Sequence, residues 1–423
     1  CIGGHIFTGV DVPVYAYPEG YPVEPDHVIC LGFIDRWRRQ APEYHHVWKH
    51  YSPLRIPNQI PAQNADGLLL TGVVNRSTSS ATALNVTWTC GQQDGNFTVE
   101  LASGAAGELL IPYTGAAGPA LELYCYDTSG RLVDRYQFAT APASPVATPP
   151  TVPLQLTATA DGYTVQRGEM TWHIGGIQLP AARRADGNWM VRDAGRMVVT
   201  PGGNNPPSGL ATLWRQENIE LVSQSADEVV LRFTGTFANL RGSYLWRLQS
   251  DGSITIGYDF AWGGARIMAR ELGCAFTVPR QYDRLSWQRD AELNWYPADH
   301  IGRAAGCTEP FPNQFALGAG RWEVPTWPWS HDATTAGCRD FCSTRRHIRH
   351  FTLSAPGGAG LSINSDGQHH ARAWVDDGDS IKMQCCHYSG RSAEEFAAGL
   401  DQEELYLEPG GRISGECRVV VEG

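Results

Sequence analysis

The sequence predicts a mainly β protein built from more than one unit, and three observations carry that expectation. Short runs of alternating apolar and polar residues recur over most of the 423 residues. Dipeptides that favour tight turns, such as Asp161-Gly162, Asp251-Gly252 and Asp366-Gly367, punctuate them. A proline-rich stretch, Ala141-Pro142-Ala143-Ser144-Pro145 through Thr148-Pro149-Pro150, divides the chain and has the composition of a stiff, exposed linker.

Each segment has its own reading. Residues 1–57 hold an apolar run with paired glycines from Ile2 to Val10, then Leu31-Gly32-Phe33-Ile34, then a helical-looking Tyr44 to His50. A strand, a long loop and a helix cannot bury a core alone, so this segment is expected to be the end of a larger domain. Residues 58–141 alternate in short runs (Leu68-Leu69-Leu70, Leu84 to Trp88, Glu108 to Ile111, Leu121 to Tyr124) with turn signals at Asp94-Gly95 and Ser129-Gly130. That pattern predicts a small antiparallel, immunoglobulin-like sandwich. Residues 142–151 form the linker. From 152 to 423 the pattern resumes at larger scale, in Tyr163 to Gln166, Met170 to Ile174, Val229 to Phe233 and Tyr244 to Leu248, and predicts a large two-sheet sandwich. Within it only Ala393 to Leu400 reads as helix, with Ser392 as N-cap and Glu394 and Glu395 in the first turn.

The net charge of -11 argues against a nucleic-acid partner. No run is long and apolar enough to suggest a membrane span, and the expectation is a soluble protein with cytoplasmic, periplasmic and secreted locations all open. The 11 cysteines cannot all pair within the chain. Cys90 and Cys125 lie in two strand-like runs of the small sandwich and are candidates to bridge it. Cys338-x3-Cys342 and Cys385-Cys386, with His347, His350 and His387 nearby, invite a zinc reading. Neither pair has the two-residue finger spacing, and buried thiols are the alternative. Sequons begin at Asn75, Asn85 and Asn96 and permit glycosylation in a secretory host.

Taken in order, these segments resemble the carboxyl-terminal part of family 2 glycoside hydrolases of the long β-galactosidase type. Gly3-Gly4-His5-Ile6-Phe7-Thr8-Gly9-Val10-Asp11 resembles that family's last barrel strand, and Leu31 to Arg36 with Arg38 to Tyr44 resembles the lead into its final barrel helix. Leu293-Asn294-Trp295-Tyr296-Pro297-Ala298-Asp299-His300-Ile301-Gly302-Arg303 and Cys386-His387-Tyr388-Ser389 through Glu395 resemble segments of its terminal sandwich. The implied fold is the tail of a (β/α)8 barrel at 1–57, the immunoglobulin-like sandwich at 58–141, and a galactose-mutarotase-like supersandwich at 152–423. The implied activity is retaining exo-glycoside hydrolysis, which needs two carboxyl groups about 5 to 5.5 Å apart. In the family both are glutamates on barrel strands preceding the one matched here, so no catalytic residue is assigned and the isolated chain is expected to be inactive.

The resemblance also implies partners: a carbohydrate substrate, a preceding segment or companion chain carrying the barrel, and a further copy in a homo-oligomer. No cofactor or metal ligand is read from the residues, although the complete active site leaves room for a divalent or sodium ion. Phe7 stands where the family has a tryptophan that stacks on the sugar, with barrel core as the alternative. His5 and Asp11 share its side of the strand by two-residue periodicity and are candidate glycone contacts. Asp299, His300 and Arg303 are a candidate polar rim, against the alternative of an Asp-Arg pair tying down a loop. Asp11, Glu19, Glu24, Asp26 and Asp35 cluster in sequence but read better as loop and helix-start charges than as a catalytic pair. Trp322, Trp327 and Trp329 are sugar platforms if exposed and core if buried. The competing functional class is a non-catalytic β-sandwich scaffold or weak carbohydrate-binding module.

Overall fold

A computed structural model describes residues 12–13, 28–29, 34, 38, 40, 42–77, 83–99, 101–141, 150–201, 209–298, 300–312, 344–390 and 405–422. Among them the one helix is Pro42–His50, nine residues long, and the rest of the regular structure is strand. The expected fold is corrected by this content. A (β/α)8 barrel closes parallel strands that are each followed by a helix. Here the sheets are open and their strands pair antiparallel, except Phe311–Pro312 beside Gly360–Asp377. The (β/α)8 barrel tail expected at residues 1–57 is thus absent from the described residues, which form an almost wholly β chain of open sheets. The strand expected at residues 2–10 and the helix expected at 393–400 lie outside the described residues. No helix among the described residues is long and apolar enough to cross a membrane.

The chain forms two compact units. One gathers the described residues of Arg39–Ala147 and Ala291–Arg303. Its first sheet runs Leu132–Phe138, Leu121–Tyr126, Leu84–Cys90, Gln93–Val99, and its second centres on Gly67–Asn75. Strict alternation along Leu84–Cys90 puts Leu84, Val86, Trp88 and Cys90 inside, where they share one core with Leu68 and Ile111 of the second sheet. Cys90 and Cys125 do not bridge: both are free, and in the register Cys90 faces Leu121 while Cys125 faces Val86. Asp94-Gly95 is not the turn either. The chain reverses at Gly91, whose φ of 61° suits glycine, and Gly95 lies within a strand where a Cβ would come within 2.8 Å of the Trp88 indole nitrogen.

The helix docks on this unit through a desolvated ion pair. Lys49 Nζ lies 2.5 Å from Asp134 Oδ1 and 3.8 Å from the centre of the Tyr136 ring, and also donates to the Arg135 carbonyl. Burial lowers the Lys49 pKa while the Asp134 carboxylate pushes it back up, with a net lowering. The Ala291–Arg303 segment packs here as well: Asn294 accepts from the Gln137 amide and donates to the Ile56 carbonyl, and Trp295 meets Trp48 edge-on at 5.8 Å.

The other unit holds a sequential five-stranded meander from Leu154–Thr159 to Trp189–Val191 and a fourteen-stranded sheet. The sheet's main path is Asp193–Pro201, Ile267–Pro279, Ser380–Ser389, Gly360–Asp377, Arg412–Glu422, Ser253–Trp262, Leu240–Gln249, Glu228–Phe237, Arg215–Gln224. Meander and sheet share one apolar core, with Trp172 edge-on to Trp246 at 5.6 Å.

Replacing Asp134 by Ala leaves Lys49 buried without its counter-charge, so urea unfolding should show a loss of about 3–5 kcal/mol. The double change Lys49→Met with Asp134→Leu should cost much less. Equal losses would mean the pair does not hold the helix.

Candidate functional site

On the large sheet, residues alternate between the apolar core and an opposite face. Directly paired residues share a face, so Thr200 and Glu271, then Gln384 and Arg372, fall together on the second one. All four are buried, with Glu271 only 1% exposed. Glu271 Oε2 accepts from the Thr200 hydroxyl at 3.1 Å and from Arg372 Nη2 at 3.0 Å, and Oε1 accepts from the Gln384 amide at 2.9 Å. Burial by itself raises the Glu271 pKa, but the charges of Arg372 and Arg270 and these hydrogen bonds outweigh it and leave the carboxyl below its ordinary value. With both oxygens engaged, Glu271 is a fixed charge that positions its neighbours rather than a free nucleophile or base.

Beside this array the strand Gly360–Asp377 breaks step. Between the pairs His350–Asn364 and Ile348–His369 it advances five residues while Arg345–Ser354 advances two, so a bulge forms. Asp366-Gly367, expected as a turn between strands, is part of this bulge inside one 18-residue strand, with Gly367 at φ 95°. His347 sits opposite in the left-handed region at φ 56°, a conformation that few non-glycine residues adopt.

The bulge gathers histidines whose hydrogen bonds set their tautomers. His347 is exposed; its Nδ1 lies 3.1 Å from the Gly367 carbonyl and must donate, leaving Nε2 bare. Its backbone amide donates to Nδ1 of His370 at 3.3 Å, so His370 carries its proton on Nε2. His369 donates from Nε2 to the Glu416 carbonyl at 2.7 Å, and its Nδ1 accepts from Ser365 at 2.9 Å. The Tyr258 hydroxyl stands 2.5 Å from Nδ1 of His387. Burial raises the Tyr258 pKa well above that of a free phenol, so the tyrosine donates and His387 presents Nε2–H. His350 lies between Asn364 and Thr352 at 2.7 and 2.6 Å.

Burial lowers both His370 and His387 to about 4, helped at His370 by Arg346, His347 and His369, and at His387 by His369. At neutral pH His370 and His387 are therefore uncharged, each with an Nε2–H of fixed direction. Cys385 and Cys386, considered above as zinc ligands, are buried thiols, and no group of three or more metal-ligating side chains occurs among the described residues. Cys338 and Cys342 lie outside them.

His5, Phe7, Asp11, Asp299, Trp322, Trp327 and Trp329 also lie outside the described residues. His300 is buried in the smaller unit, where its Nδ1 accepts the Gly302 amide at 2.8 Å and its ring stacks on Tyr296 at 4.5 Å and meets His45 edge-on at 5.4 Å. Arg303 donates to the Ala298 carbonyl. The structure thus brings His300 and Arg303 into one loop of the smaller unit. His369, His370, Tyr258 and Glu271 carried no sequence signal: the bulge arises from a register shift between two consecutive strands, and Tyr258 and Glu271 meet their partners from strands distant in sequence.

No family model and no curated protein matches the chain. Among solved structures, a putative aldose 1-epimerase from Escherichia coli K12 is similar at 12% identity and a TM-score of 0.33, over 64% of this chain and 99% of that one. A galactose mutarotase-like protein from Clostridium acetobutylicum is similar at 10% and 0.31, with the same coverage. Galactose 1-epimerase from Lactobacillus acidophilus is similar at 9% and 0.27 over 64% of this chain. These are weak resemblances of fold to mutarotase- and epimerase-like β-sandwich proteins, and no residue role passes from them to this chain.

Unfolded imidazoles take up protons near pH 6.5, whereas folded His370 and His387 resist until about pH 4. Their contribution to stability is full above pH 6.5, falls as the pH drops through that window, and levels off below about 4. After solvent screening the loss should be on the order of 1–2 kcal/mol for each. Urea midpoints at pH 7 and 4.5 should converge in a His370→Gln, His387→Gln double variant. An unchanged pH dependence would refute the assignment.

Proposed function

We propose that this chain binds a neutral sugar at the histidine bulge of its large sheet. In this reading it is the carboxyl-terminal sandwich part of a retaining exo-glycosidase of the long β-galactosidase type. The observation that carries the reading is the set of neutral, tautomer-fixed imidazoles beside the sealed Glu271 array. A polyhydroxyl ligand without charge is recognised by donors and acceptors of fixed direction, and the Nε2–H groups of His370 and His387 are donors of that kind. The negative net charge fits a neutral ligand better than a polyanion. The runs from Leu293 to Arg303 and from Cys386 to Glu395, which resemble the family's terminal sandwich, support the wider assignment.

Chemistry in this reading comes from outside the chain. Double displacement needs a free carboxylate and a second carboxyl group in reach of it, and Glu271, the buried carboxylate of this face, has both oxygens occupied. His370 and His387 meet the ligand through Nε2–H, while Tyr258 fixes the ring of His387 and His369 ties the bulge to the Glu416 carbonyl. His5, Phe7 and Asp11 are proposed to meet the glycone in the complete enzyme, and His300 and Arg303 to fix the loop that carries Asp299.

Purified chain should show no turnover of chromogenic galactosides, glucosides or glucuronides. It should nonetheless give saturation-transfer NMR signals with methyl β-galactoside that His387→Gln weakens about tenfold, the equivalent of one strong hydrogen bond. Hydrolysis abolished by changing an internal carboxylate would overturn the non-catalytic role. Absence of binding, with the fold intact, would leave a plain scaffold and overturn the sugar site.

A further inference from the structure

At another place on the large sheet the ladder sets three arginines in one row. Arg215 pairs with Thr236, Thr236 with Arg241, Arg241 with Ala261, and Ala261 with Arg412, so all five residues share a face. Two of the arginines have carboxylate partners: Arg241 reaches Glu217 at 3.0 Å and Arg412 is paired with Asp259. Arg215 is exposed and makes no ion pair among the described residues. In a chain of net charge -11 this is a local cationic site with an unused guanidinium.

The row opens into a groove of about 590 Å³ lined by Arg215, Thr236 and Arg241 together with Leu213, Phe237 and Trp262. That volume lies within the roughly 300–1,000 Å³ typical of small-molecule sites. Leu213, on the rim, is 68% exposed and held at φ 62°. A leucine in the left-handed region costs about 1 kcal/mol or more, and here the strain does not bury its side chain. It instead leaves an apolar group standing beside the free guanidinium. Two strand spacings, about 10 Å, separate the Arg215 and Arg241 backbones, with the Thr236 hydroxyl between them.

We propose that this groove binds a small organic carboxylate, its anionic group held by Arg215 and Thr236 and its ring lying against the exposed side chain of Leu213. A guanidinium fork matches a carboxylate, and the apolar wall suits either the CH face of a uronic acid or a flat aromatic acid. The proposal is independent of the sugar site at the histidine bulge, with which it shares no residue.

Calorimetric titration of the full chain with methyl β-glucuronide, benzoate and methyl β-glucoside tests it. At least one of the two acids should bind, and which one does identifies the ring. The affinity should fall as salt rises and by about tenfold in Arg215→Gln. Binding should persist in His387→Gln, which separates this site from the bulge. Arg215 is exposed, and a thermal melt of Arg215→Gln matching the unchanged chain confirms that any loss is not one of fold. Neutral glucoside binding that persists in His387→Gln and weakens in Arg215→Gln, undiminished acid binding in Arg215→Gln, or no binding of either acid at concentrations up to about 10 mM would overturn the proposal.

Discussion

Alternation of side chains along antiparallel strands is the constraint on which the larger unit depends. Because successive residues point to opposite faces, Ala371, Ala373, Cys385 and Met383 enter the core while Arg372 and Gln384 must lie on the other side. A slip of one residue would carry Arg372 into the core and Ala371 out of it, and the desolvation of a guanidinium among Phe276 and Met383 forbids that register. The same alternation separates Phe233 and Leu231, inside, from Arg232, which pairs with Glu220 at the surface. Core and polar face are two consequences of one pattern.

The two buried ion pairs solve the same desolvation problem differently. Glu271 has hydrogen-bond donors on both oxygens, and its negative charge is better stabilised in the fold than in water. Lys49 has one close carboxylate and the face of Tyr136, and burial still dominates its titration. The first anchors a sheet face from three strands at once. The second pins a single short helix, nine residues long, that could not persist alone.

At the bulge, geometry rather than composition creates chemistry. Histidines on an unbroken strand would alternate between core and solvent. The register shift between Asn364 and His369 lets neighbouring His369 and His370 both find partners, one at the Glu416 carbonyl and the other at the His347 amide. Burial then keeps His370 neutral at physiological pH, so its role is directional hydrogen bonding rather than charge. This also links site to stability, since the groups that a ligand would meet are those that acid would charge.

Strand existence was legible wherever period-two alternation was long: Met170 to Ile174, Val229 to Phe233 and Tyr244 to Leu248 are strands in the fold. The run Tyr44 to His50 was legible as helix, although an element this short persists only through its docking contacts. The barrel was misread because a strand, a loop and a helix are common to many folds, and only their partners distinguish them. Asp94-Gly95 and Asp366-Gly367 were misread as turns because a glycine required by a neighbouring indole, or by a bulge, leaves the same local signature as one required by a reversal. By itself the sequence determined a predominantly β, acidic chain and the alternation that sorts core from surface, since these are properties of composition and near neighbours. Tertiary structure alone decided which histidines meet, which carboxylate is sealed and which arginine is left unpaired, because each depends on register between strands, many of them far apart in sequence, where loop closure and packing rather than local preference set the pairing.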